Sequence, residues 1–462
     1  MNADATRTVD VTQALDAAPL SPLQISTVAL SLLAMIFDGF DIQAVAFAAP
    51  EITKAWQIDR AALGPVLAAG LVGMAIGALA FGWWADRVGR RAAMIAAMVL
   101  IAAGSLACAF ASNLTELTAM RLATGVGLGG ALPVATALIA EFAPARWRSL
   151  AVAIAVVGIP LGGVTGAAIA QDLVPRLGWP SVFVVGGVLP AALAVVLWFA
   201  LPESPKYLAQ HRSRSTELAT LLNRLDPNNR LTGAERFIVP ELAVERARVG
   251  ALFTPALRRS TLALWLLYFT NIFVIYVFFS WLPTVLSAAG LATAVSIRGA
   301  LWFNLGGVIG SLICAYLIGR FGSRSVLLSI AAGSVVMTFA IGSNGVLTGT
   351  GGSVVLLMWS IAGAGACINA VQVGAYALAA HVYPTNVRGT GVGAAGTIAR
   401  LGGIASTLVG AAFFAYGLSN RQLFSVLAAV LLVTASALWA LRAHLPRPAP
   451  AERSFEQAAS HR

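Results

Sequence analysis

Long uninterrupted apolar runs alternate with short polar breaks along the whole chain. The runs fall at 24–49, 61–84, 92–112, 117–140, 149–170 and 180–201, then at 260–286, 298–319, 325–345, 354–380, 389–416 and 421–443. Most reach or exceed the roughly 20 residues that a helix needs to cross a bilayer. A transmembrane barrel would show short segments of alternating polarity instead. Gly and Ala are scattered through the runs, as they are in packed membrane helices. The pattern predicts an all-α membrane protein with twelve transmembrane helices.

The polar stretch 202–259 divides the runs six and six, and an internal repeat supports the division. Gly82-Trp-Trp-Ala-Asp-Arg-Val-Gly-Arg-Arg91 follows the second run and Ala315-Tyr-Leu-Ile-Gly-Arg-Phe-Gly-Ser-Arg324 the eighth, at an offset of 233. Pro144 and Arg148 after the fourth run return as Pro384 and Arg388 after the tenth, at an offset of 240. The expected organisation is a tail (1–23), a six-helix bundle (24–201), a central loop (202–259), a second, pseudo-symmetric six-helix bundle (260–443) and a final tail (444–462).

Composition narrows the class. The chain is 58% hydrophobic and 11% charged, against roughly 25% charged in soluble domains. That excludes a soluble enzyme, a secreted disulfide scaffold and a disordered chain; the lipid bilayer is the solvent. Net charge is +11, yet only Lys54 and Lys206 are lysine, and no basic cluster is interleaved with aromatics, so nucleic acid is not an expected partner. Cys108, Cys314 and Cys367 lie in apolar runs, and His211, His381, His444 and His461 have no metal-ligand spacing, so neither a metal nor a cofactor is expected. The first twenty residues lack the basic start of a signal peptide. Arg87, Arg90, Arg91, Arg146, Arg148, Arg320, Arg324 and Arg388 fall in one set of loops; Lys54, Arg60, Arg176, Arg298 and Arg421 fall in the other. By the positive-inside rule, both tails and the central loop are cytoplasmic.

The placement of charge carries the chemistry. No Asp or Glu occurs between Glu245 and Glu452, so the second bundle has no carboxylate in any span. In the first bundle the mid-span acids are Asp38 and Asp41, three apart and on one helix face. At 1.5 Å per residue Asp38 lies near the midplane, Asp41 a turn further out, and Arg121 near the depth of Asp41. Arg400 also lies near the midplane, opposite Pro160 in the repeat. A charge at that depth costs about 2.5–3.5 kcal/mol and faces a partner or a cavity. Asp38 and Asp41, with Arg121 beside them, are the candidates for proton loading and release. The planar fork of Arg400 suits an anion. The alternative for all four is mutual neutralisation between helices, with Arg121 pairing Asp41.

Asn369, Gln372 and Tyr376 share a face of the tenth span, Asn271 and Tyr276 lie in the seventh, Trp302 in the eighth and Phe40 beside the acids. These are candidate substrate contacts, with ordinary interhelical packing as the competing reading. At 82–91, Gly82 is expected to permit close helix approach and Asp86 to meet a helix N-terminus, with Arg87 marking the membrane edge. Glu141, Arg148 and Arg388 complete a candidate gating set. Pro202-Glu-Ser-Pro205 stops the sixth helix.

Twelve spans in two halves, the 82–91 motif and Pro-Glu-Ser-Pro resemble the major facilitator superfamily over essentially the whole chain. Asp38-Gly-Phe-Asp41 is similar to the narrower signature of its aromatic acid:proton symporters. The stretch from Tyr268 to Pro283, ending Ser280-Trp-Leu-Pro283, and Asn304-Leu-Gly-Gly307, Tyr383-Pro-Thr-Asn-Val-Arg-Gly-Thr-Gly391 and Arg400-Leu-Gly-Gly403 fit as well. Gly319 departs from the pattern, standing where that family often has an acid. The resemblance implies the major facilitator fold and proton-coupled uptake of a benzoate-type anion by alternating access, in the cytoplasmic membrane of a bacterium. It implies that Asp38 and Asp41 are needed for transport and that Asp86 and Arg87 serve conformational change. A sugar or polyol porter and a proton-antiport exporter of organic acids or drugs share the loop motifs, although mid-membrane Arg400 argues against a neutral ligand. A membrane enzyme would need a catalytic constellation that the sequence lacks, and a transporter-like receptor would bind without accumulating. The protein is expected to work as a monomer.

Overall fold

The computed structural model describes residues 8–226, 230–239 and 249–446. The outer parts of both expected tails and part of the central loop lie outside the described residues. Twelve helices, here spans one to twelve, run Pro22–Ala55, Gly64–Val88, Arg90–Ala109, Leu114–Phe142, Ala145–Leu177, Pro180–Ala200, Arg258–Ala288, Thr293–Phe321, Ser323–Gly342, Val354–Val382, Thr385–Ala415 and Asn420–Ala440. Among the described residues, twelve helices are long and apolar enough to cross a membrane. The protein is a multi-pass membrane protein.

Local chemistry fixes where these helices begin. Ser21 caps span one, with Gln24 returning the bond to the Ser21 amide and Pro22 at the first helical position. Ser419 and Gln422 repeat this capping box at span twelve. Asn113 and Ser353 cap spans four and ten through their side-chain oxygens. The Gln24 side chain also donates to the Phe142 carbonyl at 2.9 Å, tying the start of span one to the end of span four.

The chain forms two compact units. Unit 1 holds residues 1–244, 279–301 and 407–416; unit 2 holds 245–278, 302–406 and 417–462. Inside unit 1, Thr293 donates to Glu51 at 2.6 Å and Arg298 to Gln171 at 3.1 Å, which brings the start of span eight onto spans one and five.

Glycines set the helix crossings, and they set them twice. A side chain at Gly73 or Gly77 of span two would collide with the Leu122 or Val126 carbonyl of span four, and one at Gly125 with the Gly70 carbonyl. In unit 2, Gly306 and Gly310 of span eight meet the Ala362 and Ala366 carbonyls, and Gly365 of span ten meets Phe303. Gly73 and Gly77 map onto Gly306 and Gly310 at the offset of 233, and Gly125 onto Gly365 at 240. Gly162 of span five closes on Ile36, and its counterpart Gly402 closes on Phe269. The repeat in sequence is thus a repeat in backbone contact, the small-residue packing that substitutes for hydrophobic drive inside a bilayer.

The segments expected as a plain tail and loop are structured. Thr8–Asp10 (β1) pairs in parallel with Arg236–Ile238 (β2). A short helix, Val11–Ala17, follows with Val11 and Leu15 buried. They join a core with Leu218, Leu221, Leu222 and Leu225 of the helix Ser215–Leu225, whose leucines recur at three- and four-residue spacing.

Candidate functional site

In unit 1 the mid-span charges form a buried cluster on spans one, three and four. Arg121 donates to the Asp41 carboxylate at 2.8 Å and to the Asp41 main-chain carbonyl at 3.0 Å. Ser105 of span three donates to the other Asp41 oxygen. Asp41 is fully buried and Arg121 is 3% exposed. The pair therefore meets the condition that a buried ion pair needs, in which both the charge and the remaining lone pairs are satisfied. Asp38, one turn away and 1% exposed, has no hydrogen-bond partner on either oxygen among the described residues. Two acids that look equivalent in sequence are placed in opposite circumstances, one clamped and one unpaired.

Gly39, between them, explains how they reach this depth. A side chain there would collide with the main chain of Ile159 in span five, so span one lies directly against its neighbour. Phe40 packs against Gly166 and Gly186 of spans five and six and is 3% exposed. Its contacts are those of an interhelical packing residue.

Unit 2 carries a neutral polar cluster on spans seven and ten. Asn271 donates to Gln372 Oε1 at 2.9 Å and to the Ile368 carbonyl at 3.2 Å. Asn271 Oδ1, Gln372 Nε2 and the Tyr268 hydroxyl are buried without a hydrogen-bond partner among the described residues. Tyr268 sits edge-on to Tyr376 with ring centroids 5.6 Å apart. Tyr376 is 40% exposed. The structure thus brings together Asn271, Gln372 and Tyr376 from the sequence candidates; Arg400 is half-buried on span eleven. Tyr268 opens the Tyr268–Pro283 stretch but lay outside the site candidates: it stands three residues before Asn271, the spacing that puts both on one face. Asn369 donates to its own helix at Gly365, 3.0 Å away, and is backed by Gly307 of span eight. Tyr276 is half-buried on span seven. Trp302 packs against Trp359, centroids 5.9 Å apart, in an apolar groove with Leu305, Ile309, Met337 and Leu356. Its ring neighbour is another tryptophan and not the polar cluster.

The Arg-rich end of unit 1 corrects two expectations. The 82–91 motif is mostly helix: span two runs to Val88, Gly89 turns with φ +109° and span three starts at Arg90. Asp86 does not meet a helix N-terminus; it pairs with Arg90 at 2.8 Å on the neighbouring helix. Glu203 of the Pro-Glu-Ser-Pro segment takes that place, accepting from the Arg90 and Arg91 amides at 2.8 and 3.1 Å. It sits there because an acid suits the positive end of a helix and four amides there lack partners. Close approach belongs to Gly89, where a side chain would strike the Glu203 carboxylate, and not to Gly82, which faces open space. Arg90 also reaches Glu141 at 3.5 Å, and Ser204 donates to Glu141. Arg87 stacks on Trp83 at 3.8 Å, and its carbonyl accepts from the Tyr207 hydroxyl. Arg148 pairs with Asp16 at 3.2 Å, and Asp16 also accepts from the Ala145 amide. Arg148 donates to the Ala143 carbonyl and Arg388 to the Tyr383 carbonyl, both at 3.3 Å and at equivalent repeat positions.

Twelve membrane-crossing helices, a duplicated crossing pattern and buried charge inside the spans define a transporter of the multi-pass kind. Over residues 31–407 the chain matches the Major Facilitator Superfamily, and it belongs to that family. It is 38% identical over 444 residues to the gallate transporter of Pseudomonas putida, which covers 94% of this chain and 96% of that one. It is 39% identical over 448 residues to the 4-hydroxybenzoate transporter PcaK of Pseudomonas aeruginosa, covering 95% and 98%. A benzoate transport protein of Acinetobacter baylyi is 29% identical over 409 residues, covering 86% and 85%. Among solved structures, the inward-open xylose transporter XylE from E. coli superposes with a TM-score of 0.73 at 18% identity, covering 91% of this chain and 97% of XylE. That likeness is one of fold alone. With relatives that are transporters throughout, this chain is a transporter and not an enzyme.

Proposed function

We propose that the protein takes up an aromatic carboxylate together with protons, by alternating access, across the cytoplasmic membrane of a bacterium. The observation that carries this reading is Asp38, a buried mid-span carboxyl with no hydrogen-bond or ion-pair partner among the described residues. It belongs to a chain whose relatives, matched along more than nine-tenths of its length, are named for gallate and 4-hydroxybenzoate. Burying an isolated charge is far more costly than burying a neutral acid. A carboxyl without a partner, which exchanges its charge for a proton, is the natural carrier of the pair. Asp41 serves as the standing counter-ion of Arg121. Arg400 takes the substrate carboxylate, and the hydrogen bonders of spans seven and ten face the ring.

Charge gives the reason for coupling. A monoanion entering a negative-inside cell works against the membrane potential; with one proton it does not. The excess of arginine in one set of loops supports a cytoplasmic location for both termini and the 202–259 segment. The network of Asp86, Arg87, Arg90, Glu141 and Glu203, with Arg148, serves cytoplasmic gating in unit 1, and Arg388 serves it at the equivalent repeat position of unit 2, in a protein that acts as a monomer.

The test is uptake of labelled 4-hydroxybenzoate, gallate, benzoate and a sugar into vesicles, with and without a protonophore. Accumulation of an aromatic acid that collapses with the proton gradient is expected. Accumulation of the sugar alone, or of none, would overturn the reading.

A further inference from the structure

The polar cluster of unit 2 is more than a helix contact. Hydrogen-bonding groups buried in a protein are nearly always paired, and each exception calls for an explanation. Here three exceptions occur in one place: the Tyr268 hydroxyl, Asn271 Oδ1 and Gln372 Nε2. The residues are 1%, 0% and 6% exposed, so bulk solvent does not serve them. Asn271 is orientated unambiguously. Its amide nitrogen must face the Ile368 carbonyl and Gln372 Oε1, both acceptors, which leaves Oδ1 as a free acceptor. The same bond fixes Gln372 with Nε2 as a free donor.

The three atoms therefore offer an acceptor, a donor and a hydroxyl that can act as either. A group that both donates and accepts satisfies such a set; a carboxylate, which only accepts, does not. The entry side is marked by Tyr376, whose ring lies against Tyr268 and is the exposed member of the cluster. An aromatic face for the ring and an unsatisfied polar trio lie together in unit 2.

We propose that Tyr268, Asn271 and Gln372 form a subsite that reads a ring hydroxyl, so that the transporter selects phenolic acids over unsubstituted benzoate. This rests on the proposed uptake of aromatic carboxylates and specifies which members of that class are preferred. The ligand hydroxyl donates to Asn271 Oδ1 and accepts from Gln372 Nε2, and the Tyr268 hydroxyl completes the set once the Tyr376 side chain turns aside. A site built to bind a hydroxyl discriminates strongly against an analogue that lacks it, because its own buried groups are then left unpaired. The remaining helix contacts of Asn271 keep the subsite in place when empty.

The experiment measures KM for 4-hydroxybenzoate, 3-hydroxybenzoate, benzoate and 4-fluorobenzoate in proteoliposomes of the full chain. 4-Fluorobenzoate has a substituent of similar size without a donor. Wild type is expected to favour a hydroxybenzoate over benzoate and 4-fluorobenzoate by about tenfold or more. Tyr268→Phe removes a hydroxyl that has no hydrogen-bond partner among the described residues, so it disturbs no bond seen there. This variant and Gln372→Met should each reduce the hydroxybenzoate-to-benzoate preference by about tenfold. A purely structural role would weaken all four substrates together and leave the ratio intact, and that result would overturn the subsite. Wild type that takes up all four acids without preference would overturn it as well, while leaving aromatic uptake standing. Wild type that takes up none would remove the underlying function.

Discussion

Asp38 and Asp41 differ by one helical turn, and the difference decides their chemistry. Arg121 and Ser105 occupy Asp41 from spans four and three, whereas nothing among the described residues bonds to Asp38. Breaking a buried ion pair by removing one partner costs about 3–5 kcal/mol, because it leaves the other charge uncompensated. Arg121→Leu should therefore lower the apparent Tm of the purified protein sharply. Adding Asp41→Asn to it should restore much of the loss. A double variant no more stable than the single one would show that the pair is not the source of the effect. The sequence identified both acids and the depth of Arg121, because charge inside an apolar run is conspicuous. It did not separate their roles, because Ser105 is an ordinary small residue in the middle of span three. The clamp depends on helix packing that no local pattern reveals. Glu203 was hidden for the same reason: the acid that caps span three lies more than a hundred residues beyond it in the chain.

At the scale of elements, most helix ends were readable to within a few residues from the apolar runs, but spans one and five continue to Ala55 and Leu177, well past the runs that ended at 49 and 170. The crossings were not readable individually. Gly and Ala are frequent throughout, and only contact separates Gly77, which lies against Val126, from Gly82, which faces open space. Repeat offsets hold the hidden information, because equivalent positions make equivalent backbone contacts in both units. Gly77→Leu and its counterpart Gly310→Leu should each strongly reduce the yield of monodisperse protein, whereas Gly82→Ala should not. Fluorescence-detected size-exclusion chromatography reads all three, and tolerance of both leucines would contradict the crossing assignment. The strand pairing of Thr8–Asp10 with Arg236–Ile238 was equally invisible. Three-residue strands far apart in sequence carry too little pattern to be predicted, and parallel pairing needs no turn signal.

For the whole molecule, the scarcity of carboxylates becomes a statement about energy. The second half has none in its spans, and Asp41 is engaged, so under the proposed proton coupling a single mid-span acid, Asp38, is left to carry a proton in each cycle. One proton with one monoanion moves no net charge. The direct measurement is the null point of protein-dependent flux of a monoanionic aromatic acid in proteoliposomes. Flux through protein-free liposomes is subtracted, and pH gradient and membrane potential are clamped independently. The account predicts zero net flux when substrate inside exceeds substrate outside about tenfold for each pH unit by which the interior is the more alkaline, unchanged by potential, with Asp38→Asn losing the dependence on pH. A null point that shifts by about tenfold for each 59 mV of potential, or an Asp38→Asn variant that still follows the pH gradient, would contradict it.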